Sequence, residues 1–202
     1  DFFRLKNASL SEVFYEIFIR CIIGIHMEFA SPWWVNLFMF VPFVTFFAFY
    51  RKTIEISGKT LFWTAIFGMS FGFVEASVVV YLRAALGLMG QEQIEILNNL
   101  PKNLFVLEVV REVATMIMLL SVALALSGSS RERIPLFLWV FAFWDIFYYI
   151  GLKFAIGWPG SFFTEDVLFL IPVPWLSQVW FPLAVSLLTI LAILSVSKKP
   201  LS

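Results

Sequence analysis

The side chains with the clearest chemical promise lie in the apolar run of residues 104–126, which carries three charges in its first half. Glu108, Arg111 and Glu112 follow one another at helical spacing, so a helix places them on one face, with Thr115 one turn further along. A charge that faces lipid near the bilayer centre costs from about 3 to more than about 10 kcal/mol. We therefore predict that the other apolar segments pack around this face.

Two other apolar segments each place an acid and a base eight residues apart, which puts each pair on one helix face. The ionisable and hydroxyl residues are Glu75 and Arg83 in the first of these segments, and Asp145, Tyr148, Tyr149 and Lys153 in the second. In the topology predicted below, all of these groups lie in the outer half of the bilayer. We predict that three helices bring them together in one polar chamber beneath the external surface.

Such a chamber is open to several kinds of chemistry. The carboxylates predict a site for a hard divalent cation, with Glu75, Glu108, Glu112 and Asp145 as the ligands. Alternatively, a buried carboxylate takes up and releases protons, and the catalytic candidates are then Glu108, Glu112 and Asp145. A third possibility is recognition of a polar or anionic headgroup by bases and tyrosines. The predicted substrate or proton pathway comprises Glu75, Arg83, Arg111, Tyr148, Tyr149 and Lys153.

A purely structural interpretation competes with these. The four acids and three bases of the predicted chamber are nearly balanced, so they could form an ion-pair network that only fixes how the helices pack. Intramembrane ionisable groups are more often functional, which favours the chamber.

The composition limits which classes of protein, partner and cofactor are possible. Of the 202 residues, 61% are hydrophobic and 14% are charged, whereas about 25% of a soluble domain is charged. The net charge of zero argues against a nucleic-acid partner. With Cys21 as the one cysteine and His26 as the one histidine, haem or an iron–sulfur cluster held by this chain alone is disfavoured, and a divalent cation stays open. The expected partners are membrane lipids and other membrane subunits.

The apolar pattern predicts a single all-α membrane domain over residues 1–202, a polytopic helical bundle. About five transmembrane helices are expected, with an N-terminal helix over residues 11–27 that is interfacial or a sixth span. The predicted spans are residues 33–50, 60–86, 104–126, 135–155 and 175–196. Residues 157–174 are expected to form an extracytoplasmic re-entrant or surface segment, with Glu165 and Asp166 beginning a short helix.

Basic residues predict the orientation. Arg51, Lys52 and Lys59 flank one loop, and the same side receives the pairs Arg131 with Arg133 and Lys198 with Lys199. An excess of Lys and Arg marks the cytoplasmic side, so the C-terminus is predicted to be cytoplasmic, in a bacterial or archaeal plasma membrane.

These observations lead to two functional hypotheses. The first is a multi-pass membrane protein whose acid/base cluster in the outer leaflet binds a cation, carries protons or acts on a lipid-soluble substrate. The second is an accessory subunit of a larger membrane complex, for example a respiratory or photosynthetic one, without chemistry of its own. Its small size and the absence of a soluble domain from the predicted fold also fit the second hypothesis.

Overall fold

Apolar helices make up most of the computed structural model, which describes residues 29–49, 54–89 and 93–197. The α-helices of these ranges are α1 (Val41–Phe49), α2 (Gly58–Leu86), α3 (Gln93–Asn99), α4 (Lys102–Leu126), α5 (Arg133–Ile156) and α6 (Trp180–Val196). A 3₁₀ helix, Trp33–Phe40, leads directly into α1. The predicted helix over residues 11–27 lies outside the described residues, as do the basic residues Arg51, Lys52, Lys198 and Lys199.

Three of these helices, α2, α4 and α5, are long and apolar enough to cross a membrane. This is consistent with the predicted membrane location. Two shorter apolar helices accompany them, Trp33–Phe49 and Trp180–Val196. The span predicted over residues 175–196 is wrong at its start, because residues 175–178 form a strand and the helix begins only at Trp180.

A small antiparallel sheet accompanies the helices, which corrects the all-α prediction. Its strands are β1 (Ala30–Ser31), β2 (Glu165–Phe169) and β3 (Trp175–Gln178), in the order β1-β3-β2. Ser177 of β3 lies opposite both Ala30 and Asp166. The helix expected to begin at Glu165 and Asp166 is therefore wrong. Pro172 and Pro174 lack the amide hydrogen that a helix interior needs, so the chain turns back as a hairpin instead.

Small residues let α2 and α5 approach closely. A Cβ atom added to Gly68 would lie 2.7 Å from the Val140 carbonyl oxygen, and one added to Gly72 would collide with the Trp144 carbonyl oxygen. The Trp139 indole Nε1 also donates a hydrogen bond of 2.9 Å to the Leu61 carbonyl. Because these contacts involve the backbone, α2 and α5 form a closely packed pair, and α4 and α6 lie against α5.

Candidate functional site

The helices and the β2–β3 hairpin line a partly open cavity of about 600 Å³. Its wall is mostly apolar, with residues from α2, α4, α5, α6 and both strands of the hairpin. The polar side chains in the wall are Glu75, Arg83, Glu108, Arg111, Glu112, Thr115, Asp145, Tyr148, Tyr149, Asp166, Ser186 and Thr189. The cavity therefore combines an apolar interior with a set of acids, bases and hydroxyl groups.

Eight of the nine residues singled out from the sequence line this cavity, and Lys153 does not. The Lys153 side chain is exposed, and its Nζ donates to the carbonyl oxygens of Gly157 at 3.0 Å and Pro159 at 2.8 Å. Both carbonyls belong to the loop that follows α5, which a lysine in the last turn of the helix can reach. Lys153 therefore belongs to the end of α5 and not to the polar chamber.

Arg111 connects two of the carboxylates. Its guanidinium forms an ion pair with Glu75 across the α2–α4 interface. It also donates to Glu108 Oε2 from Nε at 2.9 Å and from Nη2 at 2.6 Å. Thr115 Oγ1 donates to the other oxygen of Glu75 at 3.2 Å. This part of the site resembles the ion-pair network of the structural interpretation, with two acids around one base.

Glu112 has a different partner. Its Oε2 accepts a hydrogen bond of 2.9 Å from the backbone amide of Leu170, immediately after β2. It makes no ion pair with any residue in the described ranges. Glu112, the residue after Arg111, therefore joins α4 to the tip of the hairpin through a main-chain donor.

Asp145 lies near the middle of α5 and retains 8% of its surface exposed. Ser186 Oγ on α6 donates to Asp145 Oδ2 at 2.7 Å. No residue in the described ranges donates a hydrogen bond to Oδ1. Because Asp145 lines the cavity, its remaining exposure opens to the cavity interior.

Asp166 belongs to the site although the sequence prediction placed it in a helix start. It is 1% exposed, and the Tyr149 hydroxyl donates to its Oδ2 at 2.7 Å. Burial raises the pKa of Asp166 to about 6, although the bonds from Tyr149 and the Val167 amide and the charge of Arg83 act in the opposite direction. In β2, Glu165 is exposed and Asp166 is buried, but two adjacent acids carry no alternation in the sequence, so the sequence did not indicate this role.

Arg83 and two aromatic residues lie beside Asp166. Arg83 is 1% exposed, and its guanidinium carbon lies 4.9 Å from the centre of the Trp158 ring. Trp158 in turn stacks on Tyr149, with ring centres 6.3 Å apart. This contact between a guanidinium and an aromatic face favours the cation electrostatically and holds the loop after α5 against α2.

The carboxylates do not converge as metal ligands. Glu75 and Glu108 face Arg111, Glu112 meets the Leu170 amide, and Asp145 meets Ser186. Across residues 29–49, 54–89 and 93–197, no three or more His, Cys, Asp or Glu side chains are grouped as a metal site would require. The divalent-cation prediction for Glu75, Glu108, Glu112 and Asp145 thus receives no support from their geometry.

Aromatic rings cover one side of the cavity. Phe169 of β2 lies 6.4 Å from both Phe141 and Trp144 and 5.2 Å from Trp175, measured between ring centres. Tyr148 stacks on Trp144 at 6.3 Å. All five residues line the cavity, so it presents a continuous aromatic surface next to Asp145.

This arrangement can hold a molecule that has an apolar body and a polar head. The apolar and aromatic wall suits the body, and the carboxylates of Glu112 and Asp145 suit a head that donates protons or carries positive charge. No protein-family model, curated protein or solved structure matches this chain.

Proposed function

We propose that this chain is a multi-pass membrane protein with five crossings, whose cavity binds a lipid-soluble molecule. The single observation that carries the proposal is the cavity of about 600 Å³, with an apolar interior and ionisable groups in its wall. Binding sites for small molecules typically measure about 300–1,000 Å³ and combine apolar walls with a few polar groups. Glu112 and Asp145 contact the head of the bound molecule and can exchange a proton with it.

The lengths of the two shorter helices support five crossings. The 3₁₀ helix has 8 residues at about 2.0 Å each and α1 has 9 at about 1.5 Å each, so together they extend about 30 Å. The 17 residues of α6 add about 26 Å, and β3 precedes them directly. The hydrocarbon core of a bilayer is about 30 Å thick. Both segments are therefore compatible with a crossing.

In this proposal the β2–β3 hairpin is re-entrant. Asp166 contacts Tyr149 in the outer part of α5, whereas Phe169 stacks on Phe141, more than two turns back along the same helix. The hairpin thus runs beside α5 towards the middle of the membrane. Irregular backbone is tolerated there only when it is enclosed by protein and its polar groups are paired. Strand pairing and the bond from the Leu170 amide to Glu112 supply such partners.

The basic residues Lys59, Arg131 and Arg133 lie on the side opposite the hairpin, which we propose to be cytoplasmic. The C-terminus is then cytoplasmic in a bacterial or archaeal plasma membrane, and the cavity lies towards the external leaflet. The bound molecule would reach the cavity from that leaflet.

A pair of substitutions on α4 tests the proposal. Met116 lines the cavity, and Met118, two residues along, is exposed and does not. Met116→Trp fills the cavity, so we expect native mass spectrometry of the protein in nanodiscs to show at least a tenfold loss of co-purified small molecule. Met118→Trp should retain it. Equal occupancy of the wild type and both variants would overturn the proposal.

A second candidate is the accessory subunit, and the exposure of α4 favours it. Leu107, Val110, Ala114 and Met118 follow one another at helical spacing, are exposed and do not line the cavity. Such a stripe suits either lipid or the helix of a neighbouring subunit. Extraction in mild detergent distinguishes a stripe that faces lipid from one that contacts a neighbouring subunit. A particle with the mass of one chain plus its detergent belt contradicts the subunit proposal.

A further inference from the structure

The charges in the cavity wall are unequal. Within the described ranges, five carboxylates and two guanidinium groups line the cavity. Arg111 is shared by Glu75 and Glu108, and neither Glu112 nor Asp145 forms an ion pair with a described residue. A carboxylate removed from water is costly unless it gains a positive partner or a proton. The cavity therefore favours a bound molecule that brings positive charge.

Asp145 lies among the rings of the aromatic surface. Phe141 lies four residues before it and Tyr148 three residues after it, so the three share one face of α5. Phe169 and Trp175 of the hairpin extend this surface from the opposite side. Aromatic faces attract cations, and the attraction is strongest where water is excluded. A carboxylate within an aromatic surface is the usual combination for recognising ammonium groups.

Asp145 also retains an acceptor for such a group. Ser186 occupies Oδ2, while Oδ1 accepts no hydrogen bond from the described residues. Asp145 is more than nine-tenths buried, and the exposure that remains faces the cavity. This carboxylate oxygen is available to a ligand in the cavity.

We propose that the molecule bound in the cavity is a lipid-soluble organic cation, such as an amphipathic amine, with its charge between Asp145 and the aromatic surface. This inference rests on the proposed function and names its ligand class. A metal ion is a poorer match, because the carboxylates do not converge on a shared point. An anionic amphiphile is disfavoured by the excess of carboxylates.

Two probes of similar size and opposite charge test the proposal. Binding of radiolabelled tetraphenylphosphonium and of tetraphenylborate to the protein in nanodiscs is measured by equilibrium dialysis, with protein-free nanodiscs as the blank. We expect saturable binding of tetraphenylphosphonium above the blank and none of tetraphenylborate. Asp145→Asn should weaken phosphonium binding at least about tenfold, the loss of one strong electrostatic contact. Glu165→Gln, which removes an exposed carboxylate outside the cavity, should leave it unchanged.

A second pair of variants separates aromatic attraction from apolar packing. Phe169→Leu keeps an apolar side chain in the cavity and removes the ring, so phosphonium binding should weaken about fivefold. Phe162 is exposed and outside the cavity, and Phe162→Leu should have no effect. This pair retains the Asp145 carboxylate and its bond to Ser186, so it tests the proposal even if Asp145→Asn fails to fold.

The failures of the two proposals are distinguishable. If tetraphenylborate binds as well as tetraphenylphosphonium, or if Asp145→Asn and Phe169→Leu both bind the cation like the wild type, the organic-cation inference is overturned. If Met116→Trp nevertheless displaces the co-purified molecule, the proposed binding function stands without it. If Met116→Trp displaces nothing, both proposals fall together.

Discussion

Arg111 holds Glu75 and Glu108 in one ion-pair cluster, so its removal should be costly. Arg111→Met leaves two partly buried carboxylates beside each other without a counter-charge. Breaking one side of a buried ion pair destabilises a protein by about 3–5 kcal/mol. We expect a decrease of this size in the free energy of unfolding, measured by denaturant titration in nanodiscs. Arg131→Met, at an exposed arginine, should change it by less than about 0.5 kcal/mol. Equal stability of the two variants would contradict the role given to Arg111.

Glu112 can lose its charge without losing its acceptor. In Glu112→Gln the amide oxygen can still accept the bond from the Leu170 amide, so the hairpin should stay docked. We expect an unfolding temperature close to that of the wild type, together with at least a tenfold loss of the co-purified molecule or of any activity assigned to it. A folded variant with unaltered occupancy and activity would remove Glu112 from the binding site.

Asp166 makes stability depend on pH. Its pKa is raised to about 6 in the folded protein, against 3.8 for an ordinary aspartate, so between these values the folded state binds more protons than the unfolded state. Its contribution to folding stability therefore falls as pH rises from about 4 to about 6 and is constant above that range. The difference of about two pH units corresponds to about 3 kcal/mol.

The Asp166→Asn variant isolates this contribution. Its free energy of unfolding, relative to that of the wild type, should increase by about 2–3 kcal/mol between pH 4 and pH 7, because the variant has no such group to ionise. Denaturant titrations of both proteins at each pH provide the measurement. A constant difference across this range would show that Asp166 does not titrate there.

At the level of helices, the close contact between α2 and α5 leads to a prediction about stability. Gly72→Ala puts a methyl group against the Trp144 carbonyl, and overpacking of this kind costs about 1–3 kcal/mol. Gly58 has open space around it, so Gly58→Ala is the matched control and should be neutral or slightly stabilising. Thermal unfolding followed by circular dichroism compares the two. Equal unfolding temperatures would contradict the close approach.

The long helices were the most predictable elements. The three long apolar segments predicted at residues 60–86, 104–126 and 135–155 correspond to α2, α4 and α5, with ends that differ by two residues or fewer. Their length and composition alone carry this information. The sheet was not predictable in this way, since β1 pairs with a strand almost 150 residues further along the chain. Local periodicity contains nothing about such a partner.

For the side chains of the site, too, the sequence predicted positions on helices but not contacts between elements. Helical spacing placed Glu75, Glu108, Glu112 and Asp145 on faces that meet one cavity. It did not reveal that they have separate partners, because Ser186 and the Leu170 amide come from elements whose position depends on tertiary packing. Spacing also placed Lys153 on the Asp145 face, whereas carbonyl groups at the end of α5 hold its amine.

For the whole molecule, the proposed five-crossing topology predicts which loops face which side. With Cys21 replaced by serine, single cysteines at Glu95 and Gly160 should react with a membrane-impermeant maleimide added outside intact cells. Cysteines at Glu55 and Ser130 should react only after the cells are opened. Labelling of Gly160 and Ser130 from the same side would contradict the topology.

The strand pairing sets an order of events during biosynthesis. β1 is made before every helix described here, yet its partner β3 is made after all of these helices except α6. Until then Glu112 lacks the Leu170 amide, Tyr149 lacks Asp166 and Asp145 lacks Ser186. Each long helix can enter the bilayer as it is synthesised, but the cavity is completed only once the hairpin and α6 have been made. A nascent chain arrested after α5 would thus be inserted without the part of the cavity wall that these elements supply.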